Sequence, residues 1–411
     1  MVKRSRQVTN HEQLKQVNAA LVYQLIDQEG PISRVRIAQQ SALAPASITN
    51  ITRQLLSHNL ISEVEQQAST GGRPAISLTT NQRDFYFISC RLGRDMIQAS
   101  LMDLSGQIHH VQQTSIESHD TQGIVDTLRH EICQIRTRYA THHLIAIAVT
   151  MAGLVDPTSG MIHYSPNHKI AGLKLSSALE DLALPVYIGN DIRARALSEY
   201  YLGKAKQCDD FILISIHHGV GAGIITDGQL LLGKHRPIGE IGHIQIDPFG
   251  QRCHCGSFGC LETVVSNQAL LKQTQTLLQR GHQSVLTADN LTIERLCHAA
   301  IQGDGVATHI IEQAAQYLGR VLGMLVNVFN PEKILFAGEM VQTAPILFPL
   351  LLEQIQRQTL PSFAGDLRLE QARFQQQDTI GGYALIKRAL HESNLLSLIM
   401  TDKNESILNE Q

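Results

Sequence analysis

The sequence has no apolar run long enough to cross a membrane, because its longest, near residues 144–155, falls short of the ~20 residues that a spanning helix needs. The basic start MVKRSR is not followed by the apolar stretch of a secretory signal peptide. Charged residues make up only 17% of the chain and both signs are mixed, so long disordered segments are not expected. These absences favour a folded, cytoplasmic protein, and 411 residues suit two or three domains.

Cysteine is scarce, and its seven residues form an odd number, which argues against a disulfide framework. Three of them lie within eight residues, in 253-CHCGSFGC-260. Thiolates are soft ligands and Zn²⁺ takes four ligands in a tetrahedron, so this cluster predicts a closed, structural zinc site. The alternative is three reduced surface thiols. The other four are scattered and are interpreted as ordinary reduced residues: Cys90, Cys133, Cys208 and Cys297.

Three cysteines leave the fourth position of such a zinc site open, and two histidines compete for it. His254 lies between two of the cysteines, so its side chain is expected to point away from the metal. His243 lies ten residues before Cys253, and a loop can return it to the cluster.

Charge is distributed unevenly along the chain. Residues 1–80 contain eight Lys/Arg and five Asp/Glu, whereas the remainder contains 26 basic and 32 acidic residues. A basic head on an acidic body favours a nucleic-acid-binding module fused to a second function.

The head has the helix spacing of a helix-turn-helix. Apolar residues recur on one face of residues 12–30, and Ser33 is a good N-cap for a short second helix. A third helix is predicted within residues 42–60, directly after a tight turn. The stretch 61–79 then predicts a wing, with two β-rich arms and a polar tip that contains Arg73 between glycine and proline.

This winged helix-turn-helix predicts DNA binding, since polar side chains occupy the exposed face of the third helix. An arginine in the thin wing tip can enter a minor groove. The alternative is a small helical adaptor domain. The base-reading candidates are Ser47, Thr49, Asn50 and Arg53. The candidates for phosphate or minor-groove contacts are Arg34, Arg36 and Arg73.

From about residue 83 onward, strands and helices alternate, which predicts a mixed α/β body in two lobes. Residues 85–113 are expected to form strands with a hairpin turn at Ser105-Gly106. Residues 211–233 are expected to form one hairpin whose turn is Asp227-Gly228. After residue 262 helices dominate, with one strand at residues 333–338.

The body carries a series of motifs in a fixed order, and together they are specific. They are 153-GLVDPTSGMIHYSPN-167, Asn190-Asp191, 219-GVGAG-223, 239-GEIGH-243, 253-CHCGSFGCLE-262 and 328-VFNPEKILFAGE-339. Through these motifs the body resembles the ROK family of bacterial sugar kinases and repressors. The resemblance implies two actin-like α/β lobes with a sugar cleft between them.

We expect the following domain boundaries. Residues 1–82 form the winged helix-turn-helix domain, and residues 83–190 plus 378–411 form the first lobe. Residues 191–377 form the second lobe, with the zinc knuckle and an oligomerisation surface.

The ROK pattern places the fourth zinc ligand at His243, so that the ligand set is His243, Cys253, Cys255 and Cys260. It also implies the sugar contacts Gly153, Asn167, Asn190, Asp191, Glu240, His243 and Glu262. In ROK kinases the residue that matches Asp191 is the general base for the sugar hydroxyl.

The resemblance weakens at the nucleotide site. ROK kinases carry an Asp-x-Gly-Gly-Thr turn that positions metal and phosphates, whereas this chain reads 91-RLGRD-95. Phosphoryl transfer needs anionic metal ligands and a close backbone approach, and an arginine at the first position repels the metal. We therefore expect a kinase-like body that is not an enzyme.

The resemblance implies a homodimeric or homotetrameric repressor of sugar uptake and metabolism genes, which binds a DNA operator and takes N-acetylglucosamine 6-phosphate as its effector. The first alternative is a repressor that is released from DNA by the membrane glucose transporter of the phosphotransferase system. The second is an active sugar kinase with a DNA-binding head.

Overall fold

A computed structural model describes residues 11–65, 76–233, 238–375 and 378–408. The chain divides into two compact units. The first contains residues 1–150, 167–188 and 382–411, and the second contains residues 151–166 and 189–381. The N-terminal head therefore belongs to the same compact unit as the C-terminal end of the chain.

The head consists of three helices and a small sheet: α1 (His11–Glu29), β1 (Ile32–Ser33), α2 (Arg34–Ser41), α3 (Pro45–Ser57), β2 (Ile61–Glu65) and β3 (Ile76–Thr80). The sheet has the order β1-β3-β2, and both pairings are antiparallel. The Ser33 hydroxyl accepts a hydrogen bond from the Arg36 N–H, so the predicted N-cap of the second helix is confirmed. The predicted wing tip, including Arg73, lies outside the described residues.

The elements between residues 83 and 190 are β4 (Tyr86–Leu92), β5 (Met96–Asp103), β6 (Ile108–Ser115), α4 (Thr121–Arg138), β7 (Leu144–Met151), β8 (Leu154–Asp156), β9 (Met161–Tyr164), β10 (Leu173–Lys174), α5 (Leu175–Ala178) and β11 (Val186–Asn190). A five-stranded sheet has the order β11-β7-β4-β5-β6. The predicted hairpin turn at Ser105-Gly106 is confirmed, since Gly106 has a positive φ of 84° between β5 and β6.

The remaining elements are α6 (Asp191–Tyr201), β12 (Phe211–Ile216), β13 (Val220–Thr226), β14 (Gln229–Leu230), α7 (Glu262–Val265), α8 (Asn267–Gln279), α9 (Ile293–Ile301), α10 (Gly305–Phe329), β15 (Lys333–Ala337), α11 (Ala344–Gln356), α12 (Pro361–Ala364), β16 (Arg368–Gln371), α13 (Ile380–His391) and α14 (Asn394–Leu408). The second unit has a five-stranded sheet of order β14-β13-β12-β15-β16. Its core includes the buried face of α10 and apolar residues of β12, β13 and β15.

Two predicted details of the second unit were wrong. Residues 211–233 form three strands, because the chain turns at residues 217–219 as well as at Asp227-Gly228. Only Gly219 in that first turn is a typical turn residue, and the apolar residues on both sides of it were predicted as one arm of the hairpin. A further strand, β16, pairs in parallel with β15 at the sheet edge, where its half-exposed residues give little apolar signal.

Among the described residues, no helix is long and apolar enough to cross a membrane. The mixed α/β architecture agrees with the fold class predicted from the sequence, in which a winged head precedes a two-lobe body. The predicted domain boundaries stay a prediction.

Candidate functional site

Helix α3 presents a polar face to solvent. Its apolar residues Ile48, Ile51 and Leu55 are buried against the head core. Thr49, Asn50 and Arg53 are exposed on the opposite side, whereas Ser47 is only half-buried. Arg53 donates a hydrogen bond to the Asn50 side chain (Nη1 to Oδ1, 3.3 Å). Three of the four predicted base-reading residues thus lie on one accessible helix face.

The two described arginines predicted to contact phosphates already have partners within the head. Arg34 donates to Glu63 (2.7 Å) and to the Thr52 hydroxyl (3.1 Å), so its guanidinium is largely committed. Arg36 forms a looser pair with Glu29 at 3.3 Å and stays exposed. Of these two, Arg36 is the freer to reach a phosphate.

Four side chains of the second unit converge into a compact cage. His243, Cys253, Cys255 and Cys260 each offer one ligand atom, and these atoms all lie within 4.8 Å of one another, so the cage could hold a metal ion. The Cys253 sulfur lies 3.6 Å from Nδ1 of His243, and the sulfurs of Cys255 and Cys260 lie 3.7 Å apart. Burial raises the pKa of the Cys260 thiol to about 12, and a bound cation would favour its thiolate form.

The local backbone explains how a short segment builds the cage. Gly259 adopts a φ of +63°, and a Cβ at this position would lie 1.5 Å from the Asp247 carbonyl oxygen. The chain can therefore double back only with glycine here. This reversal brings Cys260 beside the main chain of His243, whose carbonyl lies 3.7 Å from the Cys260 sulfur.

The first turn of α6 carries two of the predicted sugar contacts. The Asn190 side chain caps the helix, because its Oδ1 accepts from the N–H groups of Ile192 and Arg193. Its amide nitrogen donates to the Gly153 carbonyl at 3.2 Å. Asp191 is the first helical residue and accepts from the Ile192 N–H at 2.9 Å. Gly153, Asn190 and Asp191 are thus brought together within the second unit.

Glu240 is held by an arginine that sequence reasoning missed. Arg193 donates two hydrogen bonds to the Ile238 carbonyl, at 3.1 and 2.7 Å, and one to Glu240 Oε1 at 3.1 Å. The Arg193 side chain is buried, whereas that of Glu240 is 48% exposed. Arg193 lies on α6, two positions after Asp191. It therefore fixes residues 238–240 against this helix. No local signal could reveal this role, since the partners lie 45 and 47 residues away.

Glu262 lies beside the cage, since one ligand atom each of His243, His254 and Glu262 lie within 4.8 Å of one another. Its Oε2 accepts from the Val220 N–H at 3.2 Å, and its Oε1 lies 2.9 Å from His254 Nδ1. A Cβ at Gly219 would lie 2.9 Å from the same Oε2, so the glycine permits this approach. His254 is 60% exposed and pairs with Glu262, although its Nδ1 also lies 3.9 Å from the Cys253 sulfur.

The remaining predicted sugar contact, Asn167, belongs to the first unit. It is half-buried, and the next residue, His168, anchors the segment. His168 Nε2 lies 2.8 Å from the Gly93 carbonyl, and His168 Nδ1 lies 3.2 Å from His119 Nδ1. The contact between His168 and Gly93 therefore places Asn167 next to the turn of 91-RLGRD-95.

A second polar cluster of the second unit was not expected from the sequence. His217 Nδ1 lies 2.9 Å from Glu339 Oε2, and the Asn267 amide donates to the same oxygen at 2.6 Å. Burial alone would raise the pKa of Glu339, but the hydrogen bonds and the charge of His217 outweigh it and lower the pKa to about 2. The cluster joins the turn after β12 to the end of β15.

The comparisons with known proteins agree on one family. The sequence model of the ROK family matches residues 87–389 of the chain. Over 397 residues the chain is 43% identical to the DNA-binding transcriptional dual regulator NagC of Escherichia coli (strain K12), with 96% of this chain and 98% of that protein covered. It is 38% identical over 390 residues to the DNA-binding transcriptional repressor Mlc of the same strain, with 94% and 96% covered.

One solved structure extends this similarity to the head. The crystal structure of a ROK family transcriptional regulator, described as a homolog of the E. coli MLC protein, matches with a TM-score of 0.89 and 43% identity. The match covers 94% of this chain and 99% of that chain.

Proposed function

The chain belongs to the ROK family, and we propose that it is a DNA-binding transcriptional repressor of sugar uptake and metabolism genes whose effector is N-acetylglucosamine 6-phosphate. The observation that carries this proposal is the combination of two features in one chain. One is the exposed polar face of α3 in a winged head, and the other is the group of Asn190, Asp191 and Glu240 around α6. The relatives that match nearly the whole chain are regulators named for repression or transcriptional control.

The head supports operator binding. The exposed Asn50 and Arg53 can form paired hydrogen bonds with adenine and guanine edges in the major groove. A winged head normally reads one half-site, so the protein acts as a homodimer or homotetramer on a two-fold operator.

The α6 region supports recognition of a sugar. Carboxylate and amide side chains suit vicinal hydroxyl groups, which need acceptors in pairs. Arg193 holds Glu240 through Oε1, so Oε2 can accept from a ligand hydroxyl. The relative named N-acetylglucosamine repressor, which is 43% identical to this chain, is the basis for choosing N-acetylglucosamine 6-phosphate.

The metal of the cage is Zn²⁺ in this proposal. Zn–S bonds of about 2.3 Å and Zn–N bonds of about 2.05 Å in a tetrahedron place two sulfurs about 3.8 Å apart and a sulfur and nitrogen about 3.6 Å apart. Two of the six distances in the cage are 3.7 Å between the Cys255 and Cys260 sulfurs and 3.6 Å between the Cys253 sulfur and His243 Nδ1, and all six are within 4.8 Å. With one imidazole and three thiolates the site has no open position, so the metal stabilises the fold and does no chemistry.

The test is fluorescence anisotropy with a DNA duplex selected from random sequence, at fixed salt, with and without N-acetylglucosamine 6-phosphate. We expect tight binding that the sugar phosphate weakens. Arg53→Ala should weaken binding, whereas Arg280→Ala, a change of an exposed arginine in the second unit, serves as its matched control. Binding that ignores the sugar phosphate would favour release by a transporter protein, and failure to select any DNA would refute the proposal.

Kinase activity is the remaining alternative. A coupled ATP-consumption assay on N-acetylglucosamine, N-acetylmannosamine and glucose tests it directly. We expect no turnover with any of them. Turnover that Asp191→Asn abolishes would overturn this expectation, because Asp191 matches the base of ROK kinases.

A further inference from the structure

A buried cluster of charged side chains joins the first helix of the head to the C-terminal part of the chain. Lys387 of α13 donates to Asp27 Oδ1 of α1 at 2.6 Å, and His391 Nε2 of α13 lies 3.0 Å from Asp27 Oδ2. The Lys387 side chain is 2% exposed, and those of Asp27 and His391 are 7% exposed. All three belong to the first unit.

Four side chains contact the two carboxylate oxygens of Asp27. Besides Lys387 and His391, the Thr80 hydroxyl at 3.3 Å and the Gln82 amide at 3.2 Å donate to its Oδ1. Burial alone would raise the pKa of Asp27, but Lys387 and His391 outweigh it and hold this pKa well below its usual range. The last turn of α1, the end of β3 and helix α13 therefore meet at one charged group.

Such a cluster specifies geometry more than it adds stability. A buried ion pair gains little over well-packed apolar residues, because desolvation offsets the attraction between the charges. The cost of leaving either charge unpaired is large, so α1 can shift against α13 only by breaking several directional bonds at once. An apolar contact of the same area would tolerate sliding.

Helix α13 has a second attachment at its other end. Ser198 of α6 is fully buried, and its single hydroxyl hydrogen is shared between the Ala194 carbonyl at 2.8 Å and the Ile380 carbonyl at 3.1 Å. Near this end a Cβ at Gly382 would lie 2.0 Å from the Ser89 hydroxyl of β4, so the helix packs closely on the sheet of the first unit. The 12 residues of α13 span about 18 Å as one element between Ile380 and His391.

We propose that the cluster of Asp27, Lys387 and His391 is a joint through which helix α13 fixes the orientation of the DNA-binding head, and that the effector changes operator affinity through this joint. The proposal rests on the proposed function, because it assumes a head that binds an operator and an effector that contacts α6. It adds the elements that carry the response: α6 at one end of α13 and α1 at the other.

The test uses the full-length double variant Asp27→Asn/Lys387→Met. It removes the carboxylate and the ammonium together, so neither charge of the pair stays buried without the other. The matched control is Lys333→Met/Glu370→Gln, which removes another lysine–carboxylate pair, at 3.4 Å, with a Lys333 side chain that is 9% exposed. Circular dichroism and thermal melting first establish that both variants fold.

Operator binding is then measured by anisotropy, with and without N-acetylglucosamine 6-phosphate, and binding of that sugar phosphate is measured by calorimetry. We expect the joint variant to lose about tenfold or more in effector-free operator affinity, and its response to the sugar phosphate to fall towards none. Its affinity for the sugar phosphate itself should stay near the wild-type value. The control variant should match wild type in every measurement.

Wild-type operator affinity and wild-type response in a folded joint variant would overturn the proposal. So would lower operator affinity with an undiminished response, since the cluster would then be only a structural support. If wild-type protein binds no selected DNA, the proposed function has failed. The joint is then tested by amide hydrogen exchange. Exchange in α1 should be faster in the joint variant than in wild type or the control. Unchanged exchange in α1 would overturn the proposed joint.

Discussion

The removal of one cage ligand is the most direct perturbation of the proposed zinc site. Structural zinc sites bind the metal with about 10–16 kcal/mol at pH 7, or about 2.5–4 kcal/mol for each of four ligands. Cys255→Ser should therefore weaken zinc binding by about two to three orders of magnitude. Cys255 suits the experiment because it is exposed, so the substitution leaves no cavity in a packed core.

The assay is zinc content by atomic absorption after dialysis against a weak chelator, followed by competition with a chelator of known affinity. Wild-type protein should retain about one zinc per chain, and Cys255→Ser should retain almost none. Cys133→Ser is the matched control, since it changes another exposed cysteine, on α4 in the other unit. Its zinc content should equal that of wild type.

The same assay decides between the two histidines. His243 Nδ1 lies 3.6 Å from the Cys253 sulfur, whereas His254 Nδ1 lies 3.9 Å from that sulfur and only 2.9 Å from Glu262 Oε1. His243→Ala should therefore lose zinc and His254→Ala should keep it. The proposed ligand set is refuted if His243→Ala and Cys255→Ser both retain the zinc content of wild type. If His254→Ala loses zinc and His243→Ala keeps it, then His254 is the fourth ligand.

Three further predictions concern the other sites. Arg53→Ala should weaken operator binding by about 1–3 kcal/mol with relaxed base specificity, measured by anisotropy on single-base operator variants; equal weakening on all sequences would indicate a phosphate contact instead. Arg193→Met should weaken sugar-phosphate binding in calorimetry, because Glu240 loses the donor that orients it, and Arg193→Lys should restore part of the loss; an unchanged affinity would remove Arg193 from the site. Glu339, with its pKa lowered to about 2, contributes stability that is complete above about pH 4.5 and is lost as the pH falls towards 2, so Glu339→Gln should reduce the free energy of unfolding in urea by about 2 kcal/mol at pH 6 and by less at pH 3.5. If Glu339→Gln reduces the free energy of unfolding equally at both pH values, the lost stability does not come from the lowered pKa of Glu339.

Sequence reasoning succeeded where the signal is local. The head follows from helical spacing, the Ser33 cap and a tight turn, and the structure has the corresponding helices. The cysteine cluster is also local, since three of its four members lie within eight residues. Both features depend on contacts between residues close in the chain, which spacing alone can reveal.

It failed where the partner is remote. Nothing in the local sequence marks Arg193 as special, although its guanidinium is buried against residues 45 and 47 positions later. The same holds for Asp27, whose partner Lys387 lies 360 residues away. Spacing along the chain carries no information on such pairs, because only the packed fold brings their charges together and excludes water from them.

The segment from Ile238 to Glu262 is attached at its beginning, its middle and its end within the second unit. Arg193 holds its beginning, the cage holds its middle through His243, and the Val220 N–H holds its end through Glu262. If the cage holds a metal, its loss would remove one link in the middle of the segment and leave both ends attached. Because Asn190 caps α6 without any help from the cage, the α6 side of the site should keep its geometry in a zinc-free protein. Zinc removal is thus expected to weaken effector binding in part, whereas a complete loss would mean that His243 itself is a main contact to the sugar.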